Sequence, residues 1–190
     1  KKISKQTRTQ ARREFAMKNQ DIVLAVFGFM SHYKGVDLLL QHFLRFKKEF
    51  PESRFKLLLA GGMAPSQKDQ PHYLDFYKQA QKLASQHADV TLTGFIPDHQ
   101  LARYMAIVDA VLLPSRGILG ASASWAMVLN YAKACFFSEA LEPYLQAADV
   151  KLAMKQAKLT QEELLFALNY ATFRRLLLTL EKDKQLLFKA

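Results

Sequence analysis

A lysine and two glycines bracket a short loop between an apolar run and a helix start. Val23-Leu24-Ala25-Val26-Phe27 stops at Gly28, Phe29-Met30-Ser31-His32-Tyr33 follows, and Lys34-Gly35 precedes the periodic run Val36 to Phe46. Residues of these types at this spacing suit an anion. Backbone N–H groups at the helix start and the positive end of its dipole face the negative group, and the lysine adds a full charge. A phosphate is the anion such a loop holds, which points to a nucleotide or sugar-nucleotide ligand. The same layout also serves as an ordinary βα turn.

Other chemistries have less support. His32 and His99 fall in loops, while His42, His72 and His87 sit in or beside helical stretches, and none has a partner at a metal-ligand spacing. No metal site is expected. Neither Ser115 nor Cys135 carries the flanking pattern of a nucleophile elbow or a catalytic dyad. Cys135 is the one cysteine, so no internal disulfide forms, and its apolar surroundings read as core.

A loop of this kind needs a scaffold, and the hydrophobic pattern supplies one. Ile22–Phe27, Phe55–Ala60, Val90–Thr93, Ala110–Leu113 and Ala134–Phe137 read as strands. Segments of helical period separate them, such as Tyr73, Phe76, Tyr77, Ala80 and Leu83, or Leu101, Tyr104, Met105 and Val108. This alternation predicts an α/β fold, a doubly wound parallel sheet covered on both faces, with helices at the C-terminal end. Ligands of such sheets sit beyond the carboxyl ends of the strands.

The loops at that rim are Gly28 to Gly35, Gly61-Gly62, Gly94-Phe95-Ile96-Pro97, and Pro114-Ser115-Arg116-Gly117 followed by Gly120-Ala121-Ser122-Ala123-Ser124. Glycines there either admit a ligand to the backbone or simply close turns. Arg116 would serve a phosphate or a surface ion pair equally well. Trp125, Met127, Val128, Leu129 and Tyr131 make the next helix apolar almost all round, which predicts burial against the sheet.

The chain of 190 residues is 50% hydrophobic, enough for a sizeable core. Its formal net charge is +10, but residues 1–20 carry seven basic side chains against Glu14 alone, and residues 151–190 carry eight against four acidic. The stretch between is neutral. No nucleic-acid face is therefore built into the core, although the basic flanks suit peripheral contact with an anionic membrane. No apolar run reaches the ~20 residues of a membrane span, and the basic, polar start is unlike a signal peptide. A cytoplasmic location follows as the expectation, with any membrane contact at its inner face.

The runs VFGFMSHYKGVDLLLQHF, FKLLLAGG, VTLTGFIPDHQLARYMAIVDAVLLPS, YAKACFFS and TQEELLFALNYA stand in order from about Ala11 to the C-terminus. Together they resemble the C-terminal, donor-binding domain of GT-B glycosyltransferases of family 4, the glycosyl transferases group 1. The resemblance implies a Rossmann-like half of a GT-B fold. It implies transfer of a sugar from a UDP- or GDP-linked donor to a polysaccharide, lipid-linked glycan or protein, as in bacterial-type synthesis of cell-surface glycans. No cofactor or metal is implied. The acceptor half is a separate N-terminal domain, which this chain lacks, so the fragment is expected to be inactive alone.

By the same resemblance, Lys34 neutralises the donor diphosphate, Gly28 and Gly35 shape its loop, and Ser122 and Ser124 at a helix start either contact the donor or merely cap the helix. Gly61, Gly62, Gly94, Phe95 and Ile96 match the nucleotide-binding segments. Arg116, Glu142 and His32 are further candidates, and no residue is assigned the catalytic role. Residues 1–20 are expected to form an interdomain linker with a short helix from Thr9 to Met17, and residues 21–155 the nucleotide-sugar-binding domain. Residues 156–190 should form packing helices over Gln161 to Tyr170, with a Thr160–Glu163 capping box, and Thr172 to Phe188.

Two departures bear on activity. The family places a basic residue five positions before the lysine, where this chain has Phe29, and a pair of glutamates with seven residues between them, where it has Leu119 and Met127. Losing a carboxylate from a sugar hydroxyl removes on the order of 1.5–3 kcal/mol. Two other readings therefore stand beside the transferase. One is a catalytically degenerate GT-B-like module used for binding or assembly. The other is a dinucleotide oxidoreductase domain, which the missing G-x-G-x-x-G turn disfavours.

Overall fold

The computed structural model describes residues 3–118, 122–183 and 185–189. In chain order the elements are α1 (Lys5–Glu14), β1 (Ile22–Phe27), α2 (Val36–Glu49), β2 (Phe55–Ala60), α3 (Pro71–Ser85), β3 (Val90–Leu92), α4 (Asp98–Ile107) and β4 (Ala110–Leu113). There follow α5 (Ala123–Tyr131), β5 (Ala134–Ser138), α6 (Glu142–Leu145), α7 (Ala148–Ala157), α8 (Gln161–Leu164), β6 (Leu165–Phe166), α9 (Tyr170–Lys182) and α10 (Leu186–Lys189).

The six strands form one parallel sheet in the order β3-β2-β1-β4-β5-β6. The order reverses between β1 and β4, so the loops after those strands diverge to opposite faces and open a crevice at the rim. Every residue of β1, β4 and β5 is buried. Alternate strand residues point to opposite faces, so burial of all of them means helices cover both. Phe43, Phe46, Phe55, Phe136, Phe137 and Phe173 are the bulkiest side chains of this core. Cys135 lies among them, and burial pushes its thiol well above the ordinary range, as an inert core residue requires.

Four local expectations are corrected, one being the helix from Thr172 to Phe188, which is instead α9 and α10, with α9 ending at Lys182. The first helix runs Lys5–Glu14 rather than Thr9 to Met17, because the Ser4 hydroxyl accepts from Thr7 N at 3.0 Å and caps it early. Within the stretch read as one helix from Gln161 to Tyr170, the Thr160–Glu163 capping box forms, but the helix stops at Leu164. Leu165 and Phe166 then pair with Phe137 and Ser138 as the edge strand β6. An open sheet edge with unpaired backbone groups outcompetes two more helical residues. Finally, α5 is not wrapped in protein: Val128 and Tyr131 are buried, whereas Leu129 is 59% exposed.

Candidate functional site

The carboxyl ends of β1 and β2 meet at two glycines. A Cβ on Gly61 would collide with the Gly28 carbonyl, so the two turns touch only because Gly61 has no side chain. Gly28 has φ +103°, a conformation that L side chains rarely adopt. The Lys34 side chain folds back over it: a Cβ built on Gly28 would stand 2.5 Å from Lys34 Nζ and 3.2 Å from Ser124 Oγ. The ammonium, the glycine turn and the start of α5 thus converge on one point.

Lys34 reaches that point from a 3-10 turn, His32–Lys34, which ends at Gly35 against the Pro114 carbonyl. Its head is half-buried, and among the described residues no carboxylate pairs with it. Burial alone lowers its pKa from the ordinary lysine value. A desolvated cation without a partner gains by meeting an anion. Ser124 is nearly buried, and its hydroxyl donates to the Phe27 carbonyl at 2.7 Å, mooring α5 to β1. Ser122 caps α5 by accepting from Trp125 N at 3.1 Å.

Gly28, Lys34, Gly61 and Ser124 line a cleft of about 250 Å³ together with Gly62, Phe95 and Ile96. Of the residues singled out in the sequence, Lys34, Gly28, Ser124, Gly61, Gly62, Phe95 and Ile96 are brought together here. Gly35, Ser122 and Gly94 lie on the adjoining turns without lining the cleft. Arg116 makes a two-pronged ion pair with Asp37 at 2.9 and 2.8 Å and also donates to the His32 carbonyl. Burial would raise the Asp37 carboxyl, but Arg116 holds it below its ordinary value. His32 is exposed, 3.7 Å from Asp37. Glu142 begins α6 on the surface, accepting from Gln146 and Gln161 at 3.3 and 3.1 Å.

Both described departure positions, Phe29 and Met127, also line the cleft, as do Asp98 and Leu101 at the start of α4. Leu119 lies outside the described residues. Leu101 stood out in the sequence only as part of a helical period and Asp98 not at all, since it is the turn after β3 that brings both to the cleft. Tyr73 is another residue the sequence reading placed merely on a helix face. Buried under the rim, its hydroxyl accepts from Ala64 N and donates to the Met30 carbonyl, each at 2.6 Å. Met30 pairs with Met63 as an isolated bridge, so the loops after β1 and β2 are stitched together.

At the amino ends of the strands the charges are arranged differently. Asp109 accepts from Arg12 at 2.6 Å, from Arg8, and from Val23 N at 2.8 Å. Arg12 is 3% exposed and also donates to the carbonyls of Lys18, Asp21 and Ile107 at 3.0, 3.1 and 3.2 Å. Lys133 donates to the Val108 carbonyl at 2.8 Å, and burial pushes its pKa down to about 8. A wider cavity of about 680 Å³ opens beside this cluster, walled by Trp125 and Leu129.

Among the described residues, no group of three histidine, cysteine or acidic side chains is placed to hold a metal, and no helix is long and apolar enough to cross a membrane. The sequence profile of the glycosyl transferases group 1 matches residues 7–136. Among solved structures, the C-terminal domain of a glycosyl transferase group 1 family protein, LpcC of Francisella tularensis, superposes at TM-score 0.67 and 16% identity, over 96% of this chain and 86% of that one. HepE of Anabaena in complex with UDP and glucose superposes at TM-score 0.71 and 17% identity, over 99% of this chain and 46% of that one. Sucrose-phosphate synthase of Thermosynechococcus elongatus gives TM-score 0.63 and 18% identity, over 95% and 41%. The chain thus spans less than half of the latter two. Likeness at these identities establishes the fold. Comparison with curated proteins yields no match.

Proposed function

The chain belongs to the glycosyl transferases group 1 family, and from that premise we propose that it is the donor-binding half of a nucleotide-sugar-dependent glycosyltransferase. The observation that carries the reading is the half-buried Lys34 ammonium, without a carboxylate, folded over Gly28 at the mouth of the cleft. Lys34 meets the donor diphosphate, with Gly28, Gly35 and the start of α5 at Ser122 and Ser124 around it. Gly61, Gly62, Gly94, Phe95 and Ile96 border the nucleoside. As the glycosidic bond breaks, charge gathers on the departing diphosphate, and a cation held beside it favours that state over the ground state.

On this reading the chain needs no metal or organic cofactor, and its turnover needs a separate acceptor domain. It works in the cytoplasm, and the basic flanks, including exposed Lys5, Arg13 and Lys18, suit the inner face of an anionic membrane. A second reading, a GT-B-like module retained for binding or assembly without turnover, is favoured by the apolar Phe29 and Met127 in the cleft. Calorimetric titration with UDP, GDP and their sugars tests the donor site. Micromolar binding is expected, weakened at least tenfold by Lys34→Ala. A folded chain that binds no nucleotide would overturn the proposal. Sugar transfer by the chain joined to an acceptor domain would exclude the second reading.

A further inference from the structure

Few of the described side chains lining the cleft can hydrogen-bond a sugar. Among the described residues lining it, the polar side chains are Lys34, Ser124 and Asp98. Lys34 is the cation that holds the anion, and the Ser124 proton is committed to Phe27. Asp98 stands on the β3 side, where α4 begins. The walls on either side of the ammonium differ in kind. Towards β3 is Phe95, 69% exposed, with its backbone packed on Gly62. Such a flat aromatic surface beside an acidic acceptor suits a nucleobase. Towards α5 the wall is Met127, one helical turn beyond Ala123 and Ser124, while Phe29, 41% exposed, lines the cleft with its backbone beside Gly61. That side suits an aliphatic surface.

Resting on the donor reading above, we infer that the glycosyl group of the donor is a deoxy sugar, and that Met127 selects it. A hydroxyl pressed against the Met127 thioether loses its water and finds no partner, whereas a methyl or methylene there is buried favourably. Discrimination by one such group in an apolar pocket is about tenfold or somewhat more. Met127 is thus a specificity residue for the sugar, while Lys34 is indifferent to the sugar's identity.

The test is calorimetric titration of the chain with UDP, UDP-glucose and each monodeoxy analogue of UDP-glucose, repeated with the corresponding GDP-mannose series. At least one monodeoxy donor should bind about tenfold more tightly than its parent. Met127→Gln, which supplies an amide at similar length, should reduce that preference to less than threefold without altering affinity for the nucleoside diphosphate. Met127→Leu should keep the preference. If nucleotides bind but no analogue exceeds its parent in either series, the deoxy-sugar inference is overturned and the donor site stands. If no nucleotide binds to a folded chain, both fail together. Should Met127→Gln not fold, the two analogue series on the unsubstituted chain decide alone.

Discussion

The two ends of the sheet spend their charges in opposite ways. At the amino ends, Arg8 and Arg12 converge on Asp109, and the donors of Arg12 and Lys133 reach backbone carbonyls at the end of α4. At the carboxyl ends, Lys34 stands half-buried over a glycine, with no carboxylate beside it among the described residues. A buried cation whose charge is paired with a carboxylate inside the chain is part of the scaffold. One that is half-buried with no carboxylate beside it is placed to gain from a ligand anion. The larger cavity lies at the end where Arg8 and Arg12 meet a carboxylate and the smaller at the end where Lys34 meets none among the described residues, so volume is the poorer guide to function here.

Substitutions at the two ends can break this contrast. The largest effect is expected from Asp109→Ala, which strands buried Arg12 and should cost about 3–5 kcal/mol of stability by urea unfolding. Less than 1 kcal/mol lost would mean the amino-end cluster is ornamental. Next is Gly28→Ala, where φ +103° should cost on the order of 1–3 kcal/mol. The new Cβ must also displace the flexible Lys34 head, so nucleotide affinity should fall with stability.

The pH dependence of Lys133 comes third. Its folded pKa of about 8 lies below the ordinary lysine value of 10.5, so between these pH values the unfolded chain binds more protons. Stability attributable to this group therefore rises with pH through that window. Comparing unfolding at pH 7 and 9.5, Lys133→Met should remove a rise on the order of 1 kcal/mol. Smallest of all is the stability change from Lys34→Ala, expected within about 0.5 kcal/mol or slightly favourable by thermal melting. A large loss would make Lys34 a structural residue and erase the difference between the ends.

Much of the scaffold was legible because it rests on period. Ile22–Phe27, Phe55–Ala60 and Ala110–Leu113 are strands with the boundaries their apolar runs suggest, since buried parallel strands are nearly all hydrophobic. Two-residue β6 was not legible: Leu165 and Phe166 continue a helical pattern, and only the free edge of β5 makes them a strand. The rim followed the same division. That Lys34, Gly28 and the Gly61-Gly62 turn meet at one rim was legible from their type and place after strands. Asp98 and Leu101 enter the cleft through the path of one loop, and Arg116 is occupied by Asp37, which lies far from it in sequence. Partners brought together by topology leave no local trace.

Tyr73 links the loops after β1 and β2 through one hydroxyl, and the Met30–Met63 bridge repeats the link. Two turns that would otherwise wander separately form a single stiff shelf before any guest arrives. Most of the ordering entropy of docking then belongs to the guest alone. Association at this rim should proceed as a landing on a finished surface, with no slow phase of loop closure on the β1 and β2 side.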